Sequence, residues 1–569
     1  MVLKKIRLGD LLVDNKIITS DQLHDALLQQ KQSGLQLGKQ LISLGYVDEK
    51  RMLKLLAEQL GIEYIDLLRF KINPEAVHKL KEISARRLRA LVIDEKEDHF
   101  LVVMADPTDL DKFDQLQNLL SKPVKVCVSI ESDILSSIES FYSSSSEIST
   151  LAEELQEELD DETFDLPSLN ENLSSEEAPV AKLLQSIFDQ ALRLKASDIH
   201  IEPDANVLRV RMRVDGILQE QVIKETRIVP ALVLRLKLMC GLDISEKRKP
   251  QDGRFRINTK NHEVDIRLST MPIQHGESVV MRLLDQSAGI LKLDQTGINQ
   301  VIIKEIRKLL TYPHGLVLVT GPTGSGKTTT LYAALSEINS PEKKIITIED
   351  PVEYRLSRVN QVQVNPKIDL TFARVLRTIL RQDPDIILVG EMRDQETVEI
   401  ALRAAVTGHL VFSTLHTNDT LSAAIRLVDM GAESYLLASG LRGIIAQRLV
   451  RRICPLCSET YTPTENEFVW LEKQNDKIDA KTQWKYGKGC THCHNTGYHG
   501  RAAIFEILLP DQGMLDAIRV KKYSLFANLA RESTHFTPLS HSAIKLAMEG
   551  VTTVEEVLKV CESIDSKDI

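Results

Sequence analysis

The sequence predicts a multidomain α/β protein, and three observations carry that reading. A G-x-x-x-x-G-K-[ST] loop, residues 321–328, follows an apolar run and opens a helical pattern. From about residue 291 onward, strand-like and helix-like segments alternate, as they do in a mainly parallel sheet. The chain also opens with a repeat. Leu8, Gly9, Leu12, Ile18, Leu27 and Gln30 return 29 positions later as Leu37, Gly38, Leu41, Val47, Leu56 and Gln59. A regular repeat of this kind implies two copies of one small helical unit packed together.

The 569 residues suffice for roughly three to four domains. With 43% apolar residues, real cores can form. The net charge of −10 argues against a broad nucleic-acid-binding surface, so no nucleic-acid partner is expected. No apolar run approaches the ~20 residues that cross a bilayer. The start "MVLKKIRLGDLL" is basic but too soon interrupted by polar residues to be a signal peptide. A cytoplasmic protein is expected, able to dock on a membrane protein. Seven cysteines in so long a chain are not a disulfide scaffold.

Taken in order, residues 1–145 form a first domain. "ITSDQLHDALLQQ" has a Thr19 or Ser20 cap before apolar residues at helical spacing. "RALVIDEKEDHFLVVMADPTD" reads as a hairpin with a charged turn. No Lys or Arg occurs between Lys125 and Lys182, and "LAEELQEELDDETFDL" is densely acidic. Residues 146–178 therefore read as a flexible acidic linker, with a solvated acidic helix over 150–161 an equal alternative. Residues 179–290 carry short alternating strands ("SDIHIEP", "VLRVRMRVDGILQEQVI", "RFRINT", "EVDIRLSTMP") around the amphipathic "VPALVLRLKLMCGLD", a small α+β domain. Residues 291–569 are the alternating α/β part.

Within that last part, Leu316–Thr320 is an apolar strand, and Gly321, Pro322, Thr323, Gly324, Ser325 and Gly326 form the loop before Lys327, Thr328 and Thr329. Such a loop turns backbone N–H groups toward phosphates, and the helix behind it adds favourable dipole charge. Lys327 should reach the β- and γ-phosphates of ATP, and the Thr328 hydroxyl should ligate Mg²⁺. "PDIILVGEMRD" supplies a second buried strand ending at Glu391, placed to hold Mg²⁺ through water or to polarise the attacking water. "ITIEDPVEY" adds Glu349, Asp350 and Glu353 after another strand. Two acidic clusters facing one phosphate loop suit metal-assisted phosphoryl transfer. His409 and His416 flank a further strand; each is either structural or a sensor of the γ-phosphate.

These segments resemble a known family. "GPTGSGKTTTLY", "EDPVE", "RQDPDIILVGEMRD" and "TGHLVFSTLHTND" are similar, in order, to the Walker A, Asp-box, Walker B and His-box motifs of the ATPases that power type II secretion and type IV pilus assembly. "SDIHIEP", "KPQDGR" and "STMPIQHGESVVMRLL" resemble the N2 domain of that family. The resemblance implies a PAS-like N2 domain, a RecA-like ATPase core and a ring of six subunits with ATP between the two domains. It further implies an inner-membrane platform protein as partner, with the motor peripheral at that membrane. Site-completing arginines are implied at Arg267 and Arg282 in N2, and at Arg377 and Arg381 before the Glu391 strand. Forked guanidinium donors suit phosphate oxygens, although a surface salt bridge is the plainer role for any one of them.

"CPLC" and "CTHC" place Cys454, Cys457, Cys490 and Cys493 in two knuckles able to hold one tetrahedral Zn²⁺. The stretch between them is longer than in common zinc ribbons and must fold back. His492 and His494 are competing ligands, and four free thiols are the alternative. The resemblance, which includes a tetracysteine element, implies zinc within residues 450–500.

The opening repeat resembles the cyclic di-GMP-binding N-terminal domain carried by some of these ATPases, best known from the MSHA pilus. Arg7, Leu8, Gly9, Leu12, Val13, Gln22, Leu23, Ala26, Leu27 and Gln30 match its first copy. Arg7 can pair with phosphate or guanine, and Gln30 can bond a base edge. Lys16 stands where the first copy has a second glycine, Gln36 where the second copy has arginine, and Arg51 where its glutamine is expected. The resemblance thus implies an ATPase of an MSHA-like type IV pilus regulated by cyclic di-GMP. The alternative is a type II secretion ATPase whose first domain is a docking module.

Overall fold

A computed structural model describes residues 8–33, 37–142, 148, 151–156, 179–258, 263–285, 289, 291–474, 478, 482–534 and 536–565. The repeat is visible as geometry. Helices Leu8–Asp14 and Ser20–Ser33 are followed by Leu37–Ser43 and Glu49–Leu60, each start displaced by 29 positions. Thr19 caps the second helix by accepting from the Gln22 amide, and Asp48, its counterpart, accepts from the Arg51 amide. Leu12, Ile18 and Ala26 bury against Leu41, Val47 and Met52 in one small core, as two packed copies require.

Residues 63–142 build a four-stranded sheet in the order Glu63–Tyr64, Val124–Val128, Phe100–Met104, Ala90–Glu95. The last two are the antiparallel hairpin expected from the charged turn. Of the two readings of residues 146–178, the helix is present over 151–156, but it is packed where a flexible linker or a solvated helix is expected. Residues 148 and 151–156 are helical, and Ile148, Ala152 and Leu155 are buried in the core of the following domain. Their 4-then-3 spacing is a helical stripe. Glu153 and Glu154 between them are exposed, and the densely acidic sequence that they open, 153–165, hides the stripe. The rest of the expected linker lies outside the described residues.

The second domain packs helices Pro179–Arg193 and Val229–Cys240 on an antiparallel six-stranded sheet. Its order is Ile217–Ile223, Leu208–Val214, Asp198–Pro203, Gly276–Asp285, Glu263–Ile273, Gln251–Asn258. The C-terminal part centres on seven strands in the order Val359–Gln363, Ile345–Glu349, Ile386–Val389, Leu410–Leu415, Gly315–Thr320, Leu441–Ile453, Tyr498–Leu508. All neighbours run parallel except the last pair. The central strands are buried along their whole length, because helices cover both faces of a parallel sheet. The carboxyl ends of Gly315–Thr320, Ile386–Val389 and Leu410–Leu415 lie side by side, and the chemistry-bearing loops start there.

Candidate functional site: a phosphate loop with two acidic arms

The phosphate loop is held by close packing under its glycines. Gly321 (φ 148°) and Gly326 (φ 89°) adopt conformations that L side chains rarely take. A Cβ on Gly321 would meet the Gln447 carbonyl at 2.3 Å, and one on Gly326 would meet Gln447 Nε2 at 2.7 Å. Pro322, Thr323 and Gly324 are exposed, Ser325 is buried, and Thr328 and Thr329 stand exposed on the first helical turn. The Ser325 hydroxyl is buried and makes no hydrogen bond. Exposed Thr328 and an unsatisfied loop hydroxyl fit a phosphate with its Mg²⁺.

Lys327 Nζ donates to the carbonyls of Gly321 (2.7 Å) and Pro322 (3.1 Å) and lies 3.5 Å from His416 Nδ1. Burial lowers its pKa to about 8, against the pull of Glu391, which raises it. His416 Nε2 is 3.3 Å from Glu391 Oε2. Lysine, histidine and glutamate thus form one polar line across the mouth of three parallel strands. Arg393, inside the Walker B-like segment but not among the expected site residues, pairs with the other oxygen of Glu391 and lies 3.7 Å from Asp350. It ties the two acidic arms together, and its place two residues past Glu391 is the one signal that could have pointed to it.

Several expected site residues stand elsewhere. His409 is at the far end of its strand, with Nδ1 3.0 Å from the Ala404 carbonyl, and does not join the site. The full length of the strand separates it from the phosphate loop, which sequence proximity could not convey. Glu349 is buried, and its oxygens accept from Thr347 Oγ1 (2.5 Å), Gln361 Nε2 (3.2 Å) and the Tyr332 hydroxyl. It anchors its loop to the phosphate-loop helix instead of facing the phosphates. Burial, then the Glu349 carboxylate, pushes the Tyr332 pKa up, so the phenol stays a donor there.

Glu353 faces the second domain. Arg267 Nη1 is 2.9 Å from it, and Arg267 Nη2 donates to the Val352 carbonyl at 2.8 Å. Arg282, opposite Arg267 in the strand register, donates to Asp198 at 3.0 Å. Both arginines line a cavity of about 690 Å³ between the domains, together with Arg254, Asp350 and Gln363. Arg377 pairs with Glu396, and Arg381 donates to the Arg377 carbonyl at 3.0 Å. Within one chain neither meets the phosphate loop.

The four cysteines converge as expected. Their sulfurs all lie within 4.8 Å of one another, with Cys454–Cys490 and Cys457–Cys493 at 3.8 Å and Cys490–Cys493 at 3.6 Å. A tetrahedron with Zn–S bonds of about 2.3 Å has edges near ~3.8 Å, so the set fits zinc. The amides of Cys490 and Gly497 each donate to Cys493 Sγ at 3.2 Å. Burial opposes ionisation of Cys493, but these donors outweigh it and hold its thiol below the ordinary value. His492 approaches Cys454 Sγ at 3.5 Å from outside the cluster, and His494 is not part of it.

The cyclic di-GMP residues are only partly described. Gly9 is buried, where a Cβ would meet Leu23 at 2.7 Å, and Gln30 lies half-buried on the helix Ser20–Ser33. Leu8 begins the first helix. Arg7 lies outside the described residues.

Comparison with known proteins decides the family. The model of the type II/IV secretion system proteins matches residues 173–559. The chain belongs to that family. It is a secretion or pilus-assembly ATPase. The type II secretion system protein E of Xanthomonas campestris is 39% identical over 562 residues, 98% of each chain. The type IV pilus assembly ATPase PilB of Myxococcus xanthus is 38% identical over 564 residues, 97% of this chain and 98% of its own. The DotB ATPase of Legionella pneumophila shares the fold, with a TM-score of 0.50 at 21% identity over 67% of this chain and 95% of its own. The MshEN domain model matches residues 60–148 of the secretion ATPase, the sheet-bearing half of its N-terminal part. The 29-residue repeat precedes that match. Among the described residues no helix is long and apolar enough to cross a membrane.

Proposed function

We propose that this secretion ATPase works as a cytoplasmic ring of six that turns an inner-membrane platform protein to assemble an MSHA-like type IV pilus, under cyclic di-GMP control. The line Lys327–His416–Glu391, at 3.5 and 3.3 Å, is the observation that carries the catalytic part. In this reading Lys327 and the loop amides bind the β- and γ-phosphates of ATP. Glu391 orients the attacking water and accepts its proton. His416, between them, registers whether the γ-phosphate is present. Thr328 and Glu391 would hold Mg²⁺, which neutralises charge on the phosphates. Glu353 and Arg267 join the N2 domain to the acidic arm, so loss of the γ-phosphate can alter how the two domains meet. Arg282 would close on the nucleotide from N2. Arg377 and Arg381, whose partners lie away from their own phosphate loop, suit contribution to a neighbouring subunit. The tetracysteine cluster would hold a structural Zn²⁺, closed by four ligands.

Glu391→Gln tests the catalytic assignment. Nucleotide binding should persist while turnover falls about 10²–10⁴-fold, as for loss of a general base. Substantial hydrolysis in that variant would refute the role of Glu391.

A type II secretion motor is the second reading, favoured by near-equal identity to relatives from both systems. Cyclic di-GMP is supported by the repeat spacing and by the MshEN match. Calorimetric titration of cyclic di-GMP into the full chain, beside Arg7→Ala, separates the readings. Binding that Arg7→Ala loses supports the regulated pilus motor. No binding by the wild type leaves the first domain a docking module.

A further inference from the structure

His416 stands at the start of a four-residue connection, residues 416–419, between a strand and the helix Thr420–Asp429. It is itself half exposed, and its side chain meets Lys327 and Glu391 at 3.5 and 3.3 Å. Contacts that long do not fix a ring, and a mobile ring cannot report a phosphate shift of an ångström or so. The connection behind it supplies the fixation, residue by residue. Thr417 is bound to Thr320, the last residue before the phosphate loop, through its amide (3.0 Å) and its hydroxyl (2.7 Å). Asn418 Oδ1 accepts from Arg448 Nη2 at 3.0 Å. Asp419 caps the helix by accepting from the Ser422 amide at 2.6 Å. Thr420 donates its amide (2.8 Å) and hydroxyl (2.5 Å) to a single oxygen of Glu506. The other Glu506 oxygen accepts from the Leu539 amide at 3.1 Å, the first residue of helix Leu539–Met548.

Arg448 and Glu506 are both buried, and neither belongs to any motif of the sequence. Strand alternation explains why they act together. Ala446 lies opposite Glu506 and Arg448 opposite Ile504 in the antiparallel register, so all four share one face. Gln447, on the other face, accepts from Thr330 of the phosphate-loop helix at 2.7 Å. One strand therefore holds the phosphate loop with one face and the His416 connection with the other.

We propose that Arg448, Asn418 and Glu506 are positioning residues. They hold residues 416–419 in the arrangement that sets His416 between Glu391 and Lys327, and the second oxygen of Glu506 couples that connection to helix Leu539–Met548. Movement at His416 is thereby passed to the C-terminal helices, and displacement of those helices is passed back. The proposal rests on the reading of His416 as part of the hydrolytic site.

The test compares Asn418→Ala and Glu506→Gln in the full chain, each with and without His416→Ala, under single-turnover conditions. In Glu506→Gln an amide N–H₂ would face either the Thr420 donors or the Leu539 amide, and one cap is lost. Each variant should lower the hydrolysis rate about tenfold, with affinity for a non-hydrolysable ATP analogue within about threefold, the mark of a misplaced catalytic group. In the His416→Ala background the same changes should cost under about twofold, because positioning has nothing left to position. Asn418→Asp, which keeps the acceptor for Arg448, should restore the rate to within about threefold. Amide hydrogen exchange should quicken over residues 417–420 in Asn418→Ala and stay unchanged over 321–328. Equal loss in both backgrounds, no loss in either, or unchanged exchange at 417–420 would overturn the proposal. If His416→Ala itself leaves the rate untouched, the fault lies with the role of His416, and the exchange result alone then judges the positioning.

Discussion

His409 and His416 bound the same strand, six residues of fully buried Leu410–Leu415 between them, and the molecule treats them in opposite ways. His416 leaves the carboxyl end of the strand beside Lys327 and Glu391. His409 enters at the amino end and meets a backbone carbonyl of the preceding helix. In an open parallel sheet the ligand lies outside the carboxyl ends, so strand direction alone sets His416 beside the phosphate loop and keeps His409 away from it. The lesson extends to Glu349 and Glu353. They are four positions apart on one acidic segment, yet Glu349 is consumed by Tyr332, Thr347 and Gln361, while Glu353 reaches Arg267 of another domain.

The largest expected effect exploits the first pair. His416→Ala should lower kcat about 10²-fold, while His409→Ala should leave kcat within about twofold and cost ~1 kcal/mol of local stability. Steady-state kinetics beside hydrogen exchange of the 404–410 amides would show it, and equal kcat losses would break the comparison.

Next comes the four-cysteine cluster. Cys457→Ser should abolish tight zinc retention, measured by atomic absorption on the purified protein. It should also loosen residues 450–500, since such sites contribute about 10–16 kcal/mol in model peptides. An unchanged zinc content would remove the assignment.

A smaller effect follows from Lys327. Its pKa near 8 means that the free protein loses this ammonium well below the ordinary lysine range. Bound phosphates require the charged form. ATP affinity should therefore be flat below about pH 7 and weaken as pH rises through 8, approaching tenfold per pH unit. Titrations of a non-hydrolysable analogue at several pH values check this, and a flat profile to about pH 9.5 would contradict it.

The smallest effect sharpens a second comparison, between the two repeat copies. Lys16 (φ 56°) and Gly45 (φ 71°) occupy the same left-handed position after their helices, closed by equivalent backbone bonds. The backbone bonds keep the turn even where glycine is missing, at a cost of roughly 1 kcal/mol for a side chain in that conformation. Gly45→Ala should slacken its copy by about that amount, and Lys16→Gly should firm the other by at most ~1 kcal/mol. Exchange rates of the repeat amides would register both changes.

Much of the site is legible in the amino-acid sequence. The phosphate loop, the Glu391 strand, the cysteine pairs and the repeat can all be read because each is local. A glycine pattern, a hydrophobic run or a fixed spacing states its own geometry. Even the turn at Lys16 shows itself as a place where one copy lacks the glycine of the other. The burial of the helix at 151–156 is not legible, because its few apolar residues open a sequence, 153–165, that is densely acidic. Tyr332, Gln447, Arg448 and Glu506 escape a sequence reading for another reason. Their partners lie on other elements, as with Glu506, which stands 86 residues from Thr420.

The sequence by itself determined which chemistry this chain can perform, since residue types and short spacings set what can bind phosphate and which thiols can share one metal ion. Only the tertiary structure decided which acid lies in line with Lys327, which histidine stands beside it and which arginine meets another domain. Those choices depend on strand order and on the face to which each alternate side chain points. Both are fixed by burial of the whole sheet, which no short segment contains.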